Sequence, residues 1–135
     1  MPIDRQRYLG LANFRYAVRR FLAASERISA ESGITTQQYQ AMLAIAAAAE
    51  PLAMKDLAED LLLQPHAAVQ MVDRLQKLGL AERRASPTDG RSVLLVLTDE
   101  GEALLEELAA RHLDEMLKQE PKLTEALRQL KKGRR

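Results

Sequence analysis

Apolar residues near the start of the chain recur with the spacing of an amphipathic helix. Over residues 5–30 the intervals alternate between three and four positions, as in the seam of a coiled coil. The residues on this seam are Leu11, Phe14, Val18, Phe21, Ser25 and Ile28. Gly33 is placed to end the helix, since glycine adopts the left-handed conformation of a C-cap at low cost. The pattern predicts one long helix.

A second helix is predicted over residues 36–48. Thr35 and Gln38 have the spacing of a capping box, which satisfies the free backbone N–H groups of a first helical turn. Pro51 follows the predicted end and cannot continue a helix. The residues expected to face inward are Tyr39, Met42, Leu43, Ile45 and Ala46.

Two further short helices are predicted over residues 54–62 and 65–78. Pro65 suits the first position of the second one, where no backbone donor is needed. Gly79 supplies its C-cap and Leu80 the apolar contact that follows such a cap. The residues expected to face inward are Leu57, Ala58, Leu61, Ala68, Val69, Val72 and Leu75.

A β-hairpin follows these helices. Residues 81–85 and 92–97 have the composition of strands, and the Pro-Thr-Asp-Gly turn between them places Arg91 at its tip. Thr98 then has the position of an N-cap for a long fifth helix. Its apolar stripe is Leu104, Leu105, Leu108, Leu113, Met116 and Leu117. Pro121 is expected to interrupt this helix and leave a last short one before the basic tail.

The order of these elements predicts the fold class. A mainly α chain with one small β-hairpin, in which the hairpin follows two short helices, indicates a winged helix-turn-helix. We expect a single domain over 1–135. Within it, residues 34–99 form the winged helix, and residues 5–30 and 100–131 form a helical dimerisation region.

Composition and charge narrow the function. The sequence has no Cys, which excludes a disulfide framework, a thiolate zinc site and thiol-based redox sensing. The longest apolar run, 41–49, is far shorter than the ~20 residues of a membrane span, and no signal peptide is evident, so a cytoplasmic protein is expected. The net charge of +1 is unevenly distributed, since residues 98–120 hold eight acidic and two basic groups. We expect that acidic helix to lie away from DNA.

Catalysis has little support in the sequence. The two histidines, His66 and His112, are far apart, and no His or Cys spacing suggests a metal. No glycine-rich loop follows a strand to hold phosphates. A non-enzymatic protein without cofactor or metal is therefore expected.

Five short motifs together resemble the MarR family of winged helix-turn-helix regulators. They are Leu57-Ala58, Val72-Asp73-Arg74-Leu75, Leu78-Gly79-Leu80, Asp89-Gly90-Arg91 and Val96-Leu97-Thr98-Asp99-Glu100-Gly101. The resemblance covers almost the whole chain, in order. It implies a homodimer that binds a pseudo-palindromic operator in double-stranded DNA, often as a repressor released by a small aromatic or phenolic ligand. The chain departs from the family at His66, Ala67, Val69 and Gln70, where hydroxyl residues and an Arg or Ser are common.

Two elements carry the predicted DNA contacts. The fourth helix fits the major groove, and Gln70 could form two hydrogen bonds to adenine. Arg91, at the hairpin tip, suits a narrow minor groove, with Asp89 as its orienting partner. The predicted DNA-contacting residues are Gln64, His66, Ala67, Gln70, Arg74, Arg84, Ser86, Thr88, Asp89 and Arg91. Arg83 and Lys55 are further phosphate candidates, and Asp73 is expected to pair with Arg74, Lys77 or Arg91.

Two more sites are predicted with support from the resemblance. The residues expected at a dimer interface are Leu11, Phe14, Val18, Leu123, Leu127 and Leu130. An aromatic wall with a cation, able to hold a carboxylate or phenolate effector, could be formed by Arg15, Tyr16, Arg19 and Tyr39. Two alternatives stay open: these side chains form ordinary core and surface, and the chain is a winged-helix protein-interaction module without specific DNA binding.

Overall fold

Five helices and a three-stranded antiparallel sheet make up residues 2–131, the part of the chain that the computed structural model describes. In chain order the elements are α1 (Arg5–Glu31), α2 (Thr36–Ala47), β1 (Leu52–Ala53), α3 (Met54–Asp60), α4 (Pro65–Lys77), β2 (Ala81–Ala85), β3 (Val93–Leu97) and α5 (Asp99–Lys131). The predicted fold class, mainly α with a small β wing, is confirmed.

Side-chain hydrogen bonds fix the first turns of α1 and α2. The Asp4 carboxylate accepts from the Arg7 backbone N–H at 2.9 Å. The Thr35 hydroxyl accepts from the Gln38 N–H at 3.0 Å, and the Gln38 side chain accepts from the Thr35 N–H at 3.0 Å. This reciprocal pair is the predicted capping box, so the start of α2 is confirmed.

Helices α1 and α5 lie antiparallel against each other. Near one end the Asn13 side-chain amide donates to Gln129 at 3.2 Å, and toward the other Ser25 hydrogen-bonds His112 at 2.7 Å. Close to the first pair, Gly10 of α1 lets Ala126 and Leu130 of α5 approach. We call this pair of helices the α1–α5 hairpin.

The predicted interruption at Pro121 is wrong, because α5 runs unbroken from Asp99 to Lys131. A proline inside a helix removes one backbone donor and costs about 3 kcal/mol. The turns beyond Pro121 are nevertheless held against α1, since Lys122 lies 4.3 Å from the centre of the Tyr16 ring and Gln129 binds Asn13. Packing along α1 therefore outweighs the local preference of proline.

The sheet contains a strand that the sequence did not predict. β1 has only two residues and pairs with β3, Leu52 opposite Leu95 and Ala53 opposite Leu94. β2 pairs with the other edge of β3, so the order is β1-β3-β2. Two residues carry no periodicity, so only their position beside β3 makes them a strand.

The core lies mainly within the winged helix, where Met42, Leu57, Leu75 and Leu95 are fully buried, and Ile28, Leu105 and Leu108 of the α1–α5 hairpin complete it. Three residues expected to face inward are exposed: Leu43, Ala46 and Val69. The inward face of α2 includes Ala41, and that of α4 includes Met71. Each predicted face was therefore rotated by part of a helical turn.

A buried histidine joins the hairpin to the winged helix. His112 of α5 is 4% exposed and stacks on Tyr39 of α2, with ring centres 3.9 Å apart. Its Nδ1 lies 2.7 Å from the Leu108 carbonyl oxygen, which can only accept, so Nδ1 carries a proton. Nε2 lies 2.7 Å from the Ser25 hydroxyl. Burial in this contact raises the pKa of Tyr39 above its usual value.

The end of α4, the start of β2 and the start of α5 meet at one junction. Gly79 has φ +74°, the left-handed conformation that ends α4. The Thr98 hydroxyl donates to the Gly79 carbonyl at 2.6 Å and accepts from the Gly101 N–H at 3.0 Å. A Cβ on Gly101 would lie 2.0 Å from the Leu80 carbonyl oxygen, so only glycine fits there.

We expect Gly101→Ala to destabilise the fold by about 3 kcal/mol or more, because the added methyl group would overlap the Leu80 backbone, which cannot move without disturbing β2. Gly90→Ala is the matched control. A Cβ there meets nothing within 4 Å, so its free energy of unfolding should stay within about 0.5 kcal/mol of the parent value. Urea unfolding followed by circular dichroism measures both. Equal stability of the two variants would contradict the close approach.

Candidate nucleic-acid interface

Helices α3 and α4 are joined by a tight turn with an unusual conformation. Leu62 has φ +55°, the only positive φ of a non-glycine residue among residues 2–131, and its side chain is 93% exposed. The N–H groups of Leu62 and Leu63 donate to the carbonyls of Glu59 and Ala58, at 3.1 and 2.9 Å. These bonds end α3 and send the chain directly into α4.

Helix α4 presents a polar face to solvent. Ala68, Met71, Val72 and Leu75 attach the opposite face to the core. Of the residues predicted to contact DNA on this helix, Gln64, His66, Gln70 and Arg74 are exposed and Ala67 is half-buried. The side chain of Gln64, at the N-cap position, makes no capping hydrogen bond. The side-chain amides of Gln64 and Gln70 are therefore available to a partner.

A cation from β2 is fixed to the last turns of α4. The Arg83 guanidinium of β2 donates to the Asp73 carboxylate at 2.6 Å and to the Gln76 side chain at 2.5 Å. The predicted partners of Asp73 are thus wrong: Arg83 binds it, and not Arg74, Lys77 or Arg91. Side chains alternate along a strand, and position 83 is the one that faces α4. The Arg83 charge neutralises Asp73, so this guanidinium is not free to bind phosphate.

Asp89 organises the tip of the β2–β3 hairpin, which we call the wing. One of its carboxylate oxygens accepts from the Arg91 backbone N–H at 3.0 Å, and the other accepts from the Ser92 hydroxyl at 3.0 Å. The Ser86 hydroxyl accepts from the N–H groups of Thr88 and Asp89, at 3.3 and 3.1 Å. Asp89 therefore orients Arg91 through its backbone and does not contact its guanidinium.

Arg91 is the exposed cation at the wing tip. Its side chain has no hydrogen bond or ion pair within residues 2–131, although several hydrogen bonds hold the turn that carries it. Arg84, farther from the tip, lies 3.7 Å from Glu82, and both side chains are more than half exposed. Such a surface pair is weak, so the Arg84 side chain can exchange partners at little cost.

The four predicted effector residues do not line one cleft within the chain. Tyr39 is buried against His112, whereas Tyr16 lies against Lys122. Those two α5 residues are ten positions apart, about 15 Å along a helix. Arg15 and Arg19 border a separate shallow cavity of about 230 Å³ on α1. An effector site built from all four would need a second chain or a different arrangement.

The predicted dimer-interface residues lie along the α1–α5 hairpin. Leu11 is 50% exposed, Leu127 is 45% exposed and Phe14 is 38% exposed. Val18, Leu123 and Leu130 are half-buried. Further apolar side chains are exposed on the same two helices: Tyr8, Leu22, Leu113, Met116 and Leu117. The hairpin therefore presents more apolar surface than solvated helices usually do.

The sequence did not reveal a groove between α2, β3 and α5. This groove has a volume of about 500 Å³ and is lined by apolar residues that include Leu43, Leu97 and Leu105. Its charged lining residues are Glu50, Glu102 and Glu106. Leu43 could have indicated the groove, but this apolar residue was assigned to the core from the sequence.

Within residues 2–131, no group of three or more His, Cys, Asp or Glu side chains is arranged to hold a metal ion. In the same part of the chain, none of the helices has the length and apolar character needed to cross a membrane.

Comparison with known proteins finds similarity to one family. The MarR family model matches residues 32–92, from the end of α1 to the wing tip. The organic hydroperoxide resistance transcriptional regulator of Bacillus subtilis (strain 168) is 38% identical over 98 residues, which are 73% of this chain and 65% of that protein. The chain therefore spans just under two thirds of that relative's length.

Two solved structures are similar over much of the chain. AbsC, a MarR family transcriptional regulator from Streptomyces coelicolor, superposes with a TM-score of 0.76 at 18% identity, over 98% of this chain and 91% of its own. A MarR variant from E. coli complexed with operator DNA superposes with a TM-score of 0.62 at 28% identity, over 70% of this chain and 66% of its own.

We expect Leu62→Gly to stabilise the protein by about 0.5–1 kcal/mol. Removing Cβ relieves a left-handed strain of about 1–2 kcal/mol, against a gain in unfolded-state entropy of about 0.5–1 kcal/mol. Leu62→Ala is the control, because it keeps Cβ and the strain and should leave stability unchanged. Thermal unfolding of the three proteins compares them. A Gly variant less stable than the Ala variant would contradict the strained turn.

Proposed function

We propose that this chain is a MarR family transcriptional regulator that binds a specific double-stranded DNA operator as a homodimer. The observation that carries the proposal is the unpaired Arg91 side chain on an ordered turn, in the same unit as an exposed α4. Asp89 fixes that turn, so the cation reaches DNA with little loss of backbone freedom.

The two elements would contact DNA in different grooves. Helix α4 has the width to enter the major groove with its N-terminal side chains first, and Gln70 and His66 lie on its exposed face. Arg91 would extend into the adjacent minor groove, where a narrow groove concentrates negative potential. The Arg83–Asp73 pair supports this arrangement, because it withdraws a carboxylate charge from the surface that would approach phosphate.

A homodimer would give the complex its symmetry. The exposed apolar residues of the α1–α5 hairpin are suited to pack on a second copy. A two-fold axis would then place two α4 helices about 34 Å apart, one turn of DNA, and would require a pseudo-palindromic operator.

We propose further that the protein is a repressor released by a small aromatic or phenolic ligand. His112 is held within the α1–α5 hairpin by Ser25 and joins that hairpin to α2 by stacking on Tyr39, so a ligand that shifted one unit would shift the other. A ligand that prefers one separation of the two α4 helices by a few kcal/mol would change operator occupancy many-fold.

We expect Arg91→Ala to weaken operator binding at least tenfold and to lower the salt dependence, the slope of log K against log salt, by about two, one for each protomer. Footprinting on the DNA that flanks the gene identifies the operator, and fluorescence anisotropy at several salt concentrations gives the affinities. Lys118→Ala is the control, since this exposed cation lies in the acidic part of α5. Its affinity should be unchanged.

Failure to protect any DNA at low salt would overturn the proposed function. It would favour the alternative, a winged-helix module that binds another protein, for which binding should depend little on salt and on Arg91.

We expect the protein to sediment at twice its chain mass at micromolar concentration, because the exposed apolar face of the α1–α5 hairpin favours burial. Leu127→Asp, in that face, should shift the protein toward the monomer by placing a charge in the interface. Leu62→Asp is the control, as its side chain is even more exposed but lies on the winged helix. A parent protein that sediments as a monomer would contradict the dimer.

A further inference from the structure

The exposed side chains at the start of α4 limit which bases this helix can recognise. Its first two turns contain no Arg or Lys, and its first cation is Arg74 in the last turn. Guanine is most often recognised by two hydrogen bonds from Arg or Lys, and adenine by two from Gln or Asn. Gln70 is exposed in the second turn, so near its N-terminus α4 has an adenine-recognising amide but neither of the two cations that most often recognise guanine.

Val69 adds an apolar group beside Gln70. The sequence predicted Val69 in the core, but it is 40% exposed, because Met71 and Val72 occupy the inward positions of that turn. It borders an apolar surface with Leu62, Leu63 and Pro65. In the major groove, the 5-methyl group of thymine is the apolar feature that distinguishes one base from the others.

Two polar side chains farther along α4 are bound to the wing and do not compete for the bases. Arg83 occupies the side chains of Asp73 and Gln76 and lies 3.5 Å from the Val69 carbonyl oxygen. Side chains beyond the second turn are therefore either bound to the wing strand or, like Arg74, in the last turn. Base recognition is left to the segment that contains Val69 and Gln70.

We infer that α4 recognises A·T pairs, with Gln70 hydrogen-bonded to the N6 and N7 atoms of an adenine and Val69 packed on a thymine methyl group. Consecutive Cα atoms are about 3.8 Å apart, and base pairs stack at about 3.4 Å, so the two side chains can address one pair or two neighbouring pairs. This inference rests on the proposed function and names the bases that the α4 surface fits.

The test uses the duplex identified by footprinting, with single bases replaced. Deoxyuridine in place of one thymine removes only the 5-methyl group, and 7-deazaadenine in place of one adenine removes only the N7 acceptor. We expect deoxyuridine at one position of one half-site to weaken binding about fourfold, the effect of returning one methyl group to water. The same replacement in both half-sites should weaken binding about sixteenfold. One 7-deazaadenine position should weaken binding about fivefold or more.

Variants connect each base to its side chain. Val69→Ala should bind the thymine and deoxyuridine duplexes equally, and Gln70→Ala should lose its dependence on adenine N7. Val93→Ala is the matched control, because Val93 is 39% exposed but lies on β3. It should keep the full deoxyuridine effect. Circular dichroism checks that each variant is folded.

The possible failures are distinguishable. If the protein binds a duplex but no thymine methyl group matters, or if Val69→Ala keeps the deoxyuridine effect, the inference is wrong and the proposed function stands. If no duplex is bound, both are wrong.

Discussion

The arrangement of this protein depends on one close contact, the approach of Gly101 to the backbone of Leu80. There the first turn of α5 rests on the residue where the chain leaves α4 and enters the wing, and no Cβ fits between them. The Thr98 hydroxyl reinforces the contact by bonding both Gly79 and Gly101. Since α4, the wing and the α1–α5 hairpin all begin or end at this junction, it sets their relative orientation.

Cations of the wing have different environments despite their proximity in sequence. Arg83 is held by Asp73 and Gln76 and fastens β2 to α4, so its charge serves the structure. Arg91 is exposed at the wing turn, where Asp89 accepts a hydrogen bond from its backbone N–H and leaves the guanidinium free. Strand alternation directs position 83 toward α4, and the turn carries Arg91 beyond the sheet. The same residue type therefore stabilises the fold at one position and remains available to a partner at the other.

Local signals predicted most of the elements. The capping box at Thr35, the cap at Gly79 and the N-cap at Thr98 are each formed by residues close in sequence, and each was found where expected. The errors involve distant contacts. Pro121 does not end α5 because α1 supports the turns beyond it, and β1 exists only because β3 lies beside it. The candidate DNA-binding site shows the same difference between local and distant contacts. Its exposed residues were predicted from the sequence, but the role of Arg83 in joining β2 to α4 was not.

The sequence by itself determined the helices, the wing and the resemblance to one family, because caps, turns and apolar periods act within a few residues. Only the tertiary structure decided where the buried face of each helix ends and which charges are paired. Val69 faces solvent, Asp73 binds Arg83, and Tyr39 stacks on His112. Those outcomes depend on side chains that are distant in sequence and meet only when α1, α4, α5 and the wing have packed, so no local pattern encodes them.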